Sequence, residues 1–295
     1  MLLCIDEQSA VFSKLDGGSR RFVDQLKSSA THVIQRAGPE ELYRAVLDTT
    51  AWDDEVTCIC AADGMAAAVS GWINSGRDLR SVRWTYLSAP VDDGWTIAIG
   101  TSEPMADRFE HLRQRVGEVA VPLVRVDVST DQVPRYGLSA AFGGTAGLWQ
   151  RMIGRTGSAM DWPRIAIEWA ASLREGVPTV ASEIVCDREE LASSPNFAAV
   201  YSRDPFHLFP TSENPSTSSS KLRWSSANLT TRQIGEFLKS RERSALVSEA
   251  EINEAVLRNP AAVSVDGWPI QVRRGAVVRV GRGPEVRLLS YGNGS

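Results

Sequence analysis

The sequence predicts an α/β protein, with a Rossmann-like parallel sheet in the first half (1–155) and an α+β second half (156–295) that ends in a β-rich tail. Three observations carry this. Short β-branched runs alternate with helical patterns between residues 56 and 128. Most of those runs show little polar alternation, as strands buried on both faces do. After Asn259-Pro260 the pattern changes to short strands punctuated by glycine.

Taken in order, residues 18–50 read as two helices. Phe22, Leu26, Ala30 and Val33 recur every three or four residues as one apolar stripe. Gly38-Pro39 interrupts, and Glu40 to Leu47 starts a second helix with acids in its first turn. Val56 to Cys60 is a strand ending in Ala61-Ala62-Asp63-Gly64, and Met65 to Ile73 a helix that stops near Gly76. Val82 to Leu87 and Trp95 to Ile99 are strands, Met105 to Val116 a helix, and Pro122 to Val128 a fourth strand. Crossovers of this length imply parallel, right-handed connections.

The second half is less regular. Helices are expected over Leu138 to Ile153, Trp162 to Leu173 and Leu229 to Leu238, with strands at Pro178 to Val185 and Phe197 to Tyr201. Ser248-Glu-Ala-Glu251 has the form of a capping box opening a further helix. The serine-rich tract 211–220 reads as an exposed loop. In the tail, Ala262 to Val265, Ile270 to Val272, Val277 to Val280 and Val286 to Leu289 are short strands, and Asp266-Gly267 is the hairpin signal.

Composition narrows the partners. The 32 basic and 36 acidic residues are interspersed with no basic run, so neither nucleic acid nor a membrane surface is expected. Met1 to Ile5 is too short, and too soon interrupted by Asp6 and Glu7, to be a signal peptide. No apolar stretch nears the roughly 20 residues of a transmembrane helix. A cytoplasmic location is the expectation. Cys58 and Cys60 occupy same-face positions of one strand, where buried thiols are the simpler reading than a disulfide or a metal site. The three histidines lack HExxH or CxxC partners, so no metal and no resident cofactor is expected.

In parallel α/β sheets ligands sit beyond the carboxyl ends of the strands. Thr101 and Ser102 follow the third strand there and open a helix. Their hydroxyls, with the helix N-terminus, suit an anion, although ordinary capping explains the same residues. Asp63-Gly64 makes a tight turn after the first strand, without the glycines of a dinucleotide or P-loop fingerprint. Arg135, after the fourth strand, has the guanidinium to pair a phosphate in the same crevice. As acid–base candidates the second half offers His207, in Arg203-Asp-Pro-Phe-His207, and Glu183 inside an apolar run.

Order and spacing give a resemblance. Val56 to Cys60, the Asp93-Gly94 turn, Trp95 to Ser102 and Pro134-Arg135 are similar in sequence order to a sugar-isomerase (SIS) domain of the bifunctional phosphoglucose/phosphomannose isomerase group. That resemblance covers residues 18–153 and implies a sugar-phosphate ligand, in an isomerase or a descendant that has lost activity. A second resemblance touches other residues. Val263-Ser-Val-Asp266-Gly267, Val277 to Val280 and Leu288-Leu289 look like the closing β segment of NAD kinases, and Asp63-Gly64 would sit where that family has its Gly-Gly-Asp-Gly loop. This implies a nucleotide-binding enzyme. The third possibility is a non-enzymatic scaffold whose partner is a protein or a second copy of the chain.

Overall fold

The computed structural model describes residues 1–8, 17–60, 62–87, 115–142, 181–201, 220–227, 248–260 and 263–291. Its first half is built on four parallel strands. β1 (Leu2–Asp6) lies between β2 (His32–Arg36) and β3 (Glu55–Ile59), and β4 (Arg83–Leu87) flanks β3, giving the order β2-β1-β3-β4. All five residues of β1 and all five of β3 are buried, because the sheet is covered on both faces. The α/β class and the parallel sheet of the first half are therefore present.

Three helices connect these strands: α1 (Gly17–Ser29), α2 (Pro39–Asp48) and α3 (Ala62–Asn74). Pro39 stands in the first turn of α2, where its missing N–H costs nothing, and Glu40 and Glu41 follow near the positive end of the helix dipole. α3 carries no charge after Asp63 and is buried all round, as its sequence Met-Ala-Ala-Ala-Val-Ser-Gly-Trp requires. Met65, Ala68, Val69 and Trp72 belong to the core over the parallel sheet, while Ala66 and Ala67 belong to a second core built by antiparallel strands. Gly71 allows close approach to α2: a Cβ there would lie 2.7 Å from the Tyr43 carbonyl oxygen.

The remaining strands are antiparallel to one another. β5 (Arg115–Val128) runs against β16 (Val277–Tyr291) and also holds the short β6 (Arg135–Gly137). β16 then pairs in parallel with β4 at Arg287 and Leu288, and antiparallel with β13 (Glu254–Arg258) at its other end. β8 (Glu183–Cys186) and β9 (Glu189–Ser193) complete this ten-stranded sheet. A second sheet of six strands has the order β12-β11-β10-β7-β14-β15: Ser248–Ile252, Ser220–Ser225, Phe197–Tyr201, Ser139–Phe142, Val263–Val265 and Trp268–Ile270. Asp266 and Gly267 join β14 to β15 with φ of 48° and 91°, the two positive values that the predicted tight hairpin needs.

Several sequence expectations are corrected. Residues 32–36 form a strand, not the end of a helix. α1 stops at Ser29, and β-branched Val33 and Ile34 pair with β1, which the sequence reading had not recognised as a strand. Residues 139–142, expected to be helical, form β7. The Ser248 capping box opens a strand, and residues 248–258 are β12 and β13, held by cross-strand partners. Pro122 to Val128 lies in an antiparallel strand, not a parallel one. The two short tail strands at 277–280 and 286–289 are one strand, irregular between Arg282 and Glu285 where Gly283-Pro284 breaks the ladder. Ile270 ends β15, and Gln271 and Val272 lie outside any strand. The helix expected over Met105 to Val116 is corrected at its end, where Arg115 and Val116 begin β5; residues 105–114, and the expected elements at 95–99, 143–153, 162–173 and 229–238, lie outside the described residues.

Candidate functional site

In the order β2-β1-β3-β4 the chain leaves β1 toward β2 and leaves β3 toward β4. Between the carboxyl ends of β1 and β3 the connections diverge, opening the crevice in which ligands of such sheets bind. Two carboxyl groups stand there. Asp6 is the last residue of β1, and Asp63 lies in the first turn of α3, just beyond β3. Both are buried, at 2% and 5% exposure.

Asp6 is held by main-chain donors. Its Oδ1 accepts the N–H of Gln8 and that of Gly38, each at 2.9 Å. The second of these bonds fixes the turn from β2 into α2, where Gly38 takes φ of 96°, a value that favours glycine. One carboxylate thus ties the ends of β1 and β2 together.

Asp63 is held by its own helix. Its Oδ1 accepts the Gly64 N–H at 2.8 Å, using one of the unpaired donors of the first turn. Gly64 must lack a side chain: a Cβ would sit 2.5 Å from the Cys60 Cβ and 3.6 Å from the Asp6 Cβ. That absence lets the helix start directly against the end of β3. Burial raises the Asp63 carboxyl from 3.8 to about 7, with the charge of Asp6 adding to it, Gly64 opposing, and Asp266 adding further. Asp266 comes from the β14–β15 turn, where its Oδ2 accepts the Leu138 N–H at 2.7 Å. A carboxyl titrating near neutrality can take a proton from a substrate hydroxyl at physiological pH.

The thiols beneath are not reactive groups. Cys4 and Cys58 face each other across β1 and β3, and Cys60 follows on the same face. All are free and buried. Cys4 is pushed well up by its hydrogen bond with Cys58 and by burial, and Cys60 is raised by burial, so both stay protonated. No group of three or more metal-binding side chains gathers among the described residues.

Of the residues singled out in the sequence, Asp63 and Gly64 lie in this crevice. Arg135 lies on β6, with its guanidinium carbon 4.6 Å from the centre of the Tyr43 ring and 4.9 Å from that of Trp268. It donates to the Val133 carbonyl at 2.8 Å and pairs with Asp131 at 3.1 Å. Glu183 lies on β8, four strands from β3 in the sheet order, half-exposed and paired with Arg258 at 2.7 Å. Thr101, Ser102 and His207 lie outside the described residues. Sequence reasoning missed Asp6. The signal was there: Leu2 to Ile5 is a four-residue apolar run ending in acid, the pattern of a buried strand meeting its loop.

No family model matches the sequence, and no curated protein matches it. Solved structures do. A putative diacylglycerol kinase from Bacillus anthracis str. Sterne aligns with a TM-score of 0.63 at 9% identity, covering 98% of this chain and 96% of that one. A second structure under that description gives 0.63 at 8% identity over 99% and 97%. A third, a diacylglycerol kinase from the same strain, gives 0.59 at 7% over 99% and 96%. At such identities the likeness is one of fold, and it runs the length of both chains. It overturns the sugar-isomerase resemblance, and with it the expected sugar-phosphate ligand and the isomerase-like reading. That resemblance rested on the order of elements in residues 18–153. The antiparallel β5 and the return of β16 beside β4 belong to a different architecture.

Proposed function

We propose that this protein is a nucleotide-dependent kinase, transferring the terminal phosphoryl group of a nucleoside triphosphate to an acceptor hydroxyl. The observation that carries the reading is the placement of Asp63-Gly64 at the divergence of β1 and β3, in a fold shared end to end with proteins described as diacylglycerol kinases. The sequence likeness of the tail to NAD kinases, with Asp63-Gly64 where that family has its Gly-Gly-Asp-Gly loop, supports the same reaction type.

In this scheme Asp63 is the base. The acceptor oxygen attacks the terminal phosphorus, its proton passes to the Asp63 carboxylate, and the bond to the leaving nucleoside diphosphate breaks. With its pKa near 7, Asp63 holds enough carboxylate to act at neutral pH and binds the proton well enough to take it. Gly64 and the small side chains of α3 let the backbone come close to a bound group.

The test is transfer of labelled phosphate from magnesium ATP by the full chain, with diacylglycerol in mixed micelles as one acceptor and NAD as another. Transfer to the lipid hydroxyl is expected, and Asp63→Asn should lower it on the order of 100-fold or more. A wild-type chain that transfers to neither acceptor overturns the reading.

A further inference from the structure

We propose that Asp6 is a positioning residue for Asp63: a carboxylate locked at the end of β1 that stands against the Asp63-Gly64 turn. As a statement about catalysis this rests on the kinase reading above. The geometry has three parts. Asp6 is 2% exposed and cannot swing away, because the N–H groups of Gln8 and Gly38 both converge on its Oδ1. Its Cβ lies 3.6 Å from where a side chain on Gly64 would begin, so the glycine brings the two turns together. β1 pairs with β3 from Leu2–Val56 to Ile5–Ile59, so the sheet sets the distance between the end of β1 and the end of β3, beyond which α3 starts.

The other groups near Asp63 do not duplicate this. Cys60, at the end of β3, is a protonated thiol. Asp266 reaches in from the β14–β15 turn, and its influence on Asp63 is smaller than that of Asp6. Cys4 and Cys58 are buried, uncharged thiols behind the strand ends. Burial is the larger cause of the raised Asp63 carboxyl, and Asp6, whose side chain abuts Gly64, is the charged neighbour that adds to it.

Asp6→Asn separates charge from scaffold, since an amide oxygen still accepts from Gln8 and Gly38. The experiment follows the carboxyl carbon of Asp63 by NMR in the full chain carrying labelled aspartate, the signal being assigned by its loss in Asp63→Asn. The midpoint of Asp63 should fall by on the order of one pH unit in Asp6→Asn, and stay in place in Asp24→Asn, a control on the exposed face of α1. The acid limb of kcat/KM for phosphoryl transfer should move down with it. An unmoved midpoint in a folded Asp6→Asn chain overturns the proposal. If that variant does not fold, Asp6→Ser, whose hydroxyl accepts from the same donors, is measured in its place. Failure of both to fold also overturns it, because the role claimed is separable from folding. A midpoint that moves in a chain without transfer activity keeps the pairing and removes the kinase reading.

Discussion

At Asp63, burial of a carboxyl makes stability depend on pH. Its carboxyl titrates near 7 in the folded protein and near 3.8 when unperturbed. Between those values the folded state keeps a proton that the unfolded chain releases, so the favourable contribution is complete below about 3.8 and lost as pH rises through about 7. Asp63→Asn should therefore leave stability almost unchanged at pH 4 and raise it by about 1–3 kcal/mol at pH 8. Urea unfolding at the two pH values checks this, and equal shifts at both would contradict it. The sequence marks Asp63 and Gly64 as standing at a strand end, but as a tight turn, whereas they form the first turn of α3. The raised pKa was not legible, because it depends on burial in the assembled core and, after that, on Asp6 and Asp266, 57 residues before and 203 after it in the chain.

At the scale of elements, Arg135 links β6 to α2 and β15. From sequence it reads either as an arginine pairing an anionic ligand before a helix or as an exposed or salt-bridged arginine. In the structure β6 hangs on β5, and this places the guanidinium over the neighbouring rings of Tyr43 of α2 and Trp268 of β15, whose centres are 5.2 Å apart. Two aromatic faces and the Asp131 carboxylate surround a side chain that is only 11% exposed. α3 runs through the same junction: the Ser70 hydroxyl accepts the Tyr136 N–H at 2.8 Å, and the Asn74 amide donates to the Pro134 carbonyl at 2.8 Å. Arg135→Ala should cost about 2 kcal/mol, the scale of a desolvated cation–π contact, with Arg135→Lys costing less. Chemical denaturation measures both, and a neutral Arg135→Ala would remove the clamp. Residues 248–258 teach the converse. Ser-Glu-Ala-Glu followed by Glu-Ala-Val-Leu-Arg suits a helix locally, yet Glu249 pairs across strands with Lys221 and Arg223 of β11. Strand propensity is decided by such neighbours.

For the whole molecule the deciding element is β16. One edge lies along β5 for most of its length, while the other meets β13 first and β4 last. The last strand of the chain thus joins the antiparallel half to the parallel sheet. Removing residues 277–295 should abolish cooperative unfolding and expose the apolar face of β5, including Val124, Val126 and Val128, which are buried in the intact protein. Calorimetry of the truncated chain tests this, and an intact two-state transition would refute it. Among the described residues no helix is long and apolar enough to cross a membrane.

Local chemistry settled what the sequence alone determined: β3, α2, α3, β4 and the Asp266-Gly267 hairpin. Each follows from patterning, a cap, or a glycine within a dozen residues, and each is found. Tertiary structure decided everything that needs two distant segments at once. Nothing near Leu2 reveals that it begins the central strand of a parallel sheet. Nothing near Val277 shows that its strand will end beside Trp84. Strand order and direction are fixed by which apolar faces find each other and by the hydrogen bonds made there, and those partners can lie as far apart in the chain as Trp84 and Leu288. The crevice at Asp6 and Asp63 is a product of that order. Its residues can be read singly in the sequence, but their meeting cannot.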